Sequence, residues 1–199
     1  MNPIIQNLIC VTNRKLCNGD LFTRVEEIVK FKPKAILIRE KDLTEAEYED
    51  IAKNIIKICK KEDVPCILHN FIDTAIKLNV DSIHLTFASL RIMTAEDKQK
   101  FKQIGASCHS AEEARKAQSV GCTYVLAGHI FDTLSKKDLA PRGIDFFKDV
   151  IKNVTIPVYA IGGINKNNIA EVLKAGAAAA CVMSGPMQCE SVAEYFGEW

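Results

Sequence analysis

Residues 157–185 read PVYAIGGINKNNIAEVLKAGAAAACVMSG. The apolar run Val158, Ala160 and Ile161 ends in Gly162-Gly163, a helical pattern follows and closes at Gly176, and the run Ala177 to Met183 ends in Ser184-Gly185. That order is strand, turn, helix, strand, with glycine at the carboxyl end of both strands. A residue without a Cβ lets an anion come close to bare backbone N–H groups. When the last two strands of a (β/α)8 barrel end this way, the usual occupant is a phosphate. The plainer alternative is that both glycine pairs only turn the chain.

Working outward, the same alternation runs along the whole sequence. Apolar runs predict strands at Asn7–Thr12, Ala35–Glu40, Cys66–Asn70, Ser82–Thr86, Gly105–His109, Tyr124–Phe131, Val158–Gly162 and Ala179–Met183. Most are continuous rather than alternating, as expected where both faces of a parallel sheet are covered. Helix starts are marked by Thr44 with Glu47, Ser110 with Glu113 and, more weakly, Thr94 with Asp97. A helix over 44–61 places Ile51, Ile55, Ile58 and Cys59 on one stripe, and one over 144–152 does so with Phe146, Phe147, Val150 and Ile151. Eight βα repeats in the α/β class favour a closed (β/α)8 TIM barrel over an open sheet, because no GxGxxG follows the first strand. No linker or low-complexity tract divides the chain, so the expectation is a single TIM-barrel domain over 1–199 with a short final helix around 190–196.

Composition limits the functional classes. A net charge of +1 provides no broad electropositive field, which argues against a nucleic-acid partner. The N-terminus lacks a basic lead and a cleavage site, and no apolar run is long enough to span a bilayer, so the expected location is cytoplasmic. Eight cysteines contain no CxxC pair and no Cys/His cluster, so no metal site is expected from them. Cys10, Cys66, Cys108 and Cys181 fall in predicted strands as small buried hydrophobes, with Cys108 near enough to a strand end to leave a role open.

Barrel chemistry sits at the carboxyl ends of strands. This collects Thr12, Asn13, Arg39, Glu40, Lys41, His69, Asn70, Thr86, Ser107, His109, His129, Thr133, Ser135, Lys136, the two glycine turns and Ser184. Two basic residues on separate loops, Arg39 and Lys136, point to an anionic ligand.

Six segments in order then resemble the thiamine phosphate synthase/TenI superfamily. They are Ile38-Arg39-Glu40-Lys41, Val80-Asp81-Ser82-Ile83-His84-Leu85, Ser107-Cys108-His109-Ser110-Ala111-Glu112-Glu113-Ala114, Tyr124 through Thr133, Ala160-Ile161-Gly162-Gly163-Ile164 and Val182-Met183-Ser184-Gly185. The resemblance implies a small phosphorylated thiazole as substrate, its phosphate held by Gly162, Gly163, Ser184 and Gly185. It further implies Arg39, Lys41, Ser107, Thr133 and Lys136 as substrate-binding residues. Barrels of this kind often pair, which leaves a homodimer open.

The departures from the family decide the branch expected. Synthases of the family use two aspartates for magnesium. One lies in an Asn-Asp-Arg run where this chain has His69-Asn70-Phe71, the other in Gly-Gln-x-Asp where it has Thr86-Phe87-Ala88-Ser89. Magnesium beside a phosphate needs one or two carboxylates. Synthases also carry Gly-Pro-Ile-Phe where this chain has Gly128-His129-Ile130-Phe131, a histidine that marks the TenI branch. The expectation is therefore a cofactor-free thiazole tautomerase with His129 as acid/base, imidazole having an ordinary pKa of about 6.5. A packed or capping His129 is the alternative to that role. Two other functions stay open. One is a thiamine phosphate synthase that binds magnesium through Glu40 or Asp73, and the other is a non-catalytic binder of a thiamine-related phosphate.

Overall fold

A computed structural model describes residues 2–199. Eight parallel strands close into a barrel in sequence order. They are β1 (Leu8–Val11), β2 (Ala35–Ile38), β3 (Cys66–His69), β4 (Ser82–Leu85), β5 (Gln103–Cys108), β6 (Tyr124–Gly128), β7 (Val158–Ile161) and β8 (Ala179–Val182). All eight lie where the apolar runs predict them. The observed strands mostly stop one residue sooner than predicted, and β6 stops three sooner. The described chain divides into two compact units, one comprising residues 2–80 with 182–199 and the other residues 81–181.

In the first unit, β1 and β2 align Ile9 with Ala35 and Val11 with Leu37, and β2 and β3 align Ile36 with Cys66. Every residue of β1 and β2 is buried, because helices cover the outer face and side chains fill the inner one. The covering helices are α1 (Leu21–Val29), α2 (Glu45–Lys61) and α3 (Ile72–Lys77). A capping box starts α2. Thr44 Oγ1 accepts from the Glu47 N–H, and the Glu47 carboxylate accepts from the Thr44 N–H at 2.9 Å.

The buried stripe of α2 differs from the predicted one. Tyr48, Ala52, Ile55, Ile58 and Cys59 are buried, whereas Ile51 is half-buried. The reason is Tyr48, whose hydroxyl donates to the Ile38 carbonyl at 2.8 Å and accepts from the His69 N–H at 2.8 Å. Its ring lies 4.3 Å from that of Phe71. One side chain thus satisfies the last carbonyl of β2 and the last amide of β3, both out of reach of water.

In the second unit, β4 through β8 continue the ladder, with Gly105 beside Tyr124, Gly128 beside Ile161 and Ile161 beside Cys181. Tyr124 stacks on Tyr159 at 4.5 Å and on His84 at 5.7 Å. The helices here are α4 (Phe87–Ile92), α5 (Ala95–Lys98), α6 (Ala111–Ser119), α7 (Gly143–Asn153) and α8 (Ile169–Lys174). On α7 only Phe147 and Val150 are buried, while Phe146 is half-exposed beneath the Arg142 guanidinium. In the first unit the chain ends with α9 (Ser184–Gln188) and the short α10 (Val192–Gly197).

Tyr48→Phe should remove both hydroxyl bonds while keeping the ring. Leaving a buried amide and carbonyl unpaired should cost about 2 kcal/mol, read as a lower urea midpoint at unchanged slope.

Candidate active site

The two units each present strand ends. In the first, Thr12 organises the ends of β1 and β2. Its Oγ1 accepts from the Arg39 N–H at 3.0 Å and donates to Glu40 at 2.7 Å. Glu40 is buried and also accepts from the Arg14 N–H at both oxygens and from the Arg14 guanidinium, each at 3.1 Å. These are three donors, the Arg14 N–H being shared between both oxygens, so the buried carboxylate is satisfied within the protein. Arg14 continues to Asp42 through two bonds of 2.7 Å, a bidentate pair that holds the Asp42 carboxyl well below the usual carboxylate range. Arg39 is half-buried, and among the described residues it makes no ion pair. Burial lowers its pKa from the ordinary arginine value, and nearby Glu40 opposes that shift. Lys41 lies exposed beside it.

His69 closes β3, and Asn70 follows it in the left-handed region at φ 65°, a conformation that asparagine tolerates better than most residues. Ser184 opens α9, and Gly185 lies against the Tyr195 ring, where a Cβ would collide. The first unit therefore brings Arg39 and Thr12 together beside a Glu40 satisfied by Thr12 and Arg14.

In the second unit, Ser107 does not stand alone. Its Oγ meets His84 Nε2 at 2.9 Å, and His84 Nδ1 meets the Tyr124 hydroxyl at 3.2 Å, so His84 is a satisfied core histidine. Burial pushes the Cys108 thiol up to about 12, which leaves almost no thiolate near neutral pH and removes the role left open for it. At the end of β6, His129 is buried and follows a cis peptide bond. Its Nε2 donates to the Leu139 carbonyl at 3.1 Å. His109 Nδ1 meets the Gly128 carbonyl at 3.2 Å. A pocket of about 440 Å³ is lined by His109, His129, Lys136, Leu139, Ala140 and Arg142. Of these, Leu139, Ala140 and Arg142 are not singled out by the sequence, and His109 is collected there without a role. Arg142 gave no sequence signal beyond its charge, because its place is set by the fold of the loop.

The glycine turn after β7 has a reason independent of any ligand. Gly162 and Gly163 both have positive φ, 103° and 67°. A Cβ on Gly162 would collide with His129 Cβ, and one on Gly163 with the Asp132 carbonyl oxygen. The chain after β6 runs directly over them, with the Ile130 N–H on the Ile161 carbonyl and the Phe131 N–H on the Gly162 carbonyl, both at 3.0 Å. Thr133 caps the turn that carries Lys136, its Oγ1 accepting from the Ser135 N–H at 3.4 Å.

The positions where the family places magnesium carboxylates do not fit that ion. Asn70 offers an amide. Ser89 is engaged locally, its N–H bonding Thr86 Oγ1 at 3.1 Å and its hydroxyl meeting the same atom at 2.8 Å. Among the described residues, no group of three or more His, Cys, Asp and Glu side chains is placed to hold a metal. Asp73 lies alone among acids in the first turn of α3.

Comparison with known proteins now decides the family. The family model for thiamine monophosphate synthase matches residues 8–185. A thiamine-phosphate synthase of Clostridium acetobutylicum is 32% identical over 96% of this chain and 92% of its own length. One from Fusobacterium nucleatum is 35% identical over 88% and 86%. The solved structure of a thiamine phosphate pyrophosphorylase from Pyrococcus furiosus superposes with a TM-score of 0.83 at 29% identity, covering 98% of this chain and 94% of that one. The chain belongs to the thiamine monophosphate synthase family. A 3-hexulose-6-phosphate synthase at 16% identity and TM-score 0.70 shares the fold alone.

These relatives correct the expected function. The Gly-His-Ile-Phe segment and the missing magnesium carboxylates predict a tautomerase, but similarity along nearly the whole chain is to proteins named as synthases. These local departures are outweighed, and the isomerase reading does not stand. No helix among the described residues is long and apolar enough to cross a membrane.

Gly162→Ala should be destabilising by about 2–3 kcal/mol, since it combines a left-handed backbone with a collision against His129. Thermal and urea unfolding check this. A loss near zero would mean that the β6 exit moves aside freely.

Proposed function

We propose that the protein is a transferase of the thiamine-phosphate synthase type, joining a pyrimidine diphosphate to a thiazole phosphate. The observation that carries the reading is 32% identity to a synthase across 96% of the chain. In that reaction the thiazole nitrogen forms a bond to the methylene carbon of the pyrimidine. The carbon–oxygen bond to the diphosphate breaks, and its electron pair leaves with the diphosphate.

On this reading, Gly162, Gly163, Ser184 and Gly185 hold the thiazole phosphate, and Ser107 and Thr133 add hydroxyl contacts. Arg39, Lys41 and Lys136 meet the diphosphate. Negative charge grows on that group as the bond breaks, so cations aimed at it favour the transition state more than the ground state. Arg39 suits the task because its half-buried guanidinium has no carboxylate partner to displace. With Asn70 and Ser89 at the family's metal positions, we assign the leaving group's charge to these side chains.

Incubation with both substrates, analysed chromatographically, should yield thiamine phosphate and pyrophosphate, and turnover should persist when divalent ions are chelated. Arg39→Ala should lower kcat/KM by about 10²-fold, the usual effect of deleting one group that stabilises developing charge. Absence of product with or without magnesium would overturn the transferase reading. Product only with magnesium would overturn the assignment of charge to side chains.

A further inference from the structure

We propose that His129 is a positioning residue whose ring latches the 131–142 loop, so that Lys136 and Arg142 face one pocket for a diphosphate-type anion. Occupancy by the leaving group rests on the transferase reading above.

His129 grips the loop from both its side chain and its main chain. Nε2 donates to the Leu139 carbonyl at 3.1 Å, and the His129 carbonyl accepts from the Arg142 N–H at 3.0 Å. The Ile130 carbonyl accepts from the Gly143 N–H, also at 3.0 Å. From Leu139 the connection continues inward. Its N–H donates to the Lys136 carbonyl at 3.1 Å, and the Lys136 N–H donates to the Thr133 carbonyl at 3.0 Å. The imidazole is thus two hydrogen bonds from the backbone of Lys136, and its own carbonyl holds that of Arg142.

A carbonyl oxygen only accepts, so Nε2 carries the hydrogen in this bond. That bond commits the nitrogen to the loop. His109 has the opposite tautomer, because its Nδ1 donates to the Gly128 carbonyl.

The pocket lining has no carboxylate. Its charged members are Lys136 and Arg142, and among the described residues neither makes an ion pair. Arg142 instead lies 5.3 Å over the Phe146 ring, which orients the guanidinium without neutralising it. Both cations are exposed at the same pocket, and an anion shared between them would relieve their mutual repulsion. A planar fork and a point charge together suit a group with several phosphoryl oxygens. A pocket of about 440 Å³ exceeds what a single phosphate fills.

Calorimetric titration of the full chain with inorganic pyrophosphate tests the latch. Lys136→Ala and Arg142→Ala should each weaken binding about tenfold, as loss of a charged hydrogen bond does. His129→Ala should match them. His129→Gln, whose amide nitrogen can reach the same carbonyl, should stay within about threefold of the parent. In turnover, His129→Gln should keep kcat, and His129→Ala should raise the KM for the diphosphate substrate more than it lowers kcat. Pyrophosphate affinity unchanged in His129→Ala, or equal loss of kcat in His129→Gln and His129→Ala, would overturn the latch. If the parent binds pyrophosphate with this mutational pattern yet makes no product, the latch stands and the transferase reading falls. Should His129→Ala fail to fold, the Gln and Arg142→Ala titrations still decide.

Discussion

Beyond β6 the chain crosses the exit of β7 so closely that two consecutive positions there admit no side chain. Gly162 faces His129 and Gly163 faces the Asp132 carbonyl, and the backbone bonds from Ile130 and Phe131 extend the β6–β7 pairing past the last strand residues. This contact sets where the 131–142 loop begins. Once His129 is fixed against Gly162, its ring reaches Leu139, and the turn carrying Lys136 follows. The glycines therefore constrain the site even before any ligand is considered. A phosphate at the same turn would use backbone already shaped by the neighbouring strand.

Charge in the first unit follows a comparable logic. A carboxylate as buried as Glu40 is tolerated only with its oxygens satisfied. Thr12 and Arg14 supply the donors, and Arg14 also engages Asp42. One arginine is thereby neutralised, while Arg39, one residue from Glu40, feels that carboxylate only at a distance and makes no ion pair among the described residues. Thr12 holds the Arg39 amide, so the cation's main chain is anchored without its charge being consumed.

All eight strands were legible in the sequence because a parallel barrel writes them as continuous apolar runs, and Thr44, Thr94 and Ser110 marked helix starts through caps that the structure contains. The helices α4 and α9, of six and five residues, were not legible, being too short to display a period. Tyr48 was missed as a buried residue because its partners, Ile38 and His69, lie ten and twenty-one residues away, and both bonds are to main-chain atoms. The site divides in the same way. Identities such as Arg39, Lys136 and the glycines stood out, but the partner of His129 is a backbone carbonyl, which side-chain patterns do not encode. A histidine at a strand end thus shows its titratable ring in the sequence but not the loop carbonyl that the ring bonds. The tautomerase branch rested on local departures, the missing magnesium carboxylates and the Gly-His-Ile-Phe segment, whereas similarity to proteins named as synthases runs along nearly the full length.

The departures at Asn70 and Ser89 fit the transferase proposal once charges are counted together. A divalent cation held by two carboxylates sums to zero, so losing all three leaves the net charge offered to a diphosphate unchanged. What is lost is local intensity, since a small hard ion concentrates its field on the oxygens it touches. Compensation requires cations that no carboxylate neutralises, placed where water is partly excluded so that their field is less screened. Only Arg39 meets the second condition, being half-buried and without an ion pair among the described residues, whereas Lys136 and Arg142 are exposed and line a pocket without an acid. An aspartate at position 89 would also have to coexist with the cap in which Thr86 holds the Ser89 N–H and hydroxyl. A small neutral side chain suits that cap better than an anion reserved for metal, so the local structure and the charge count favour the same substitution.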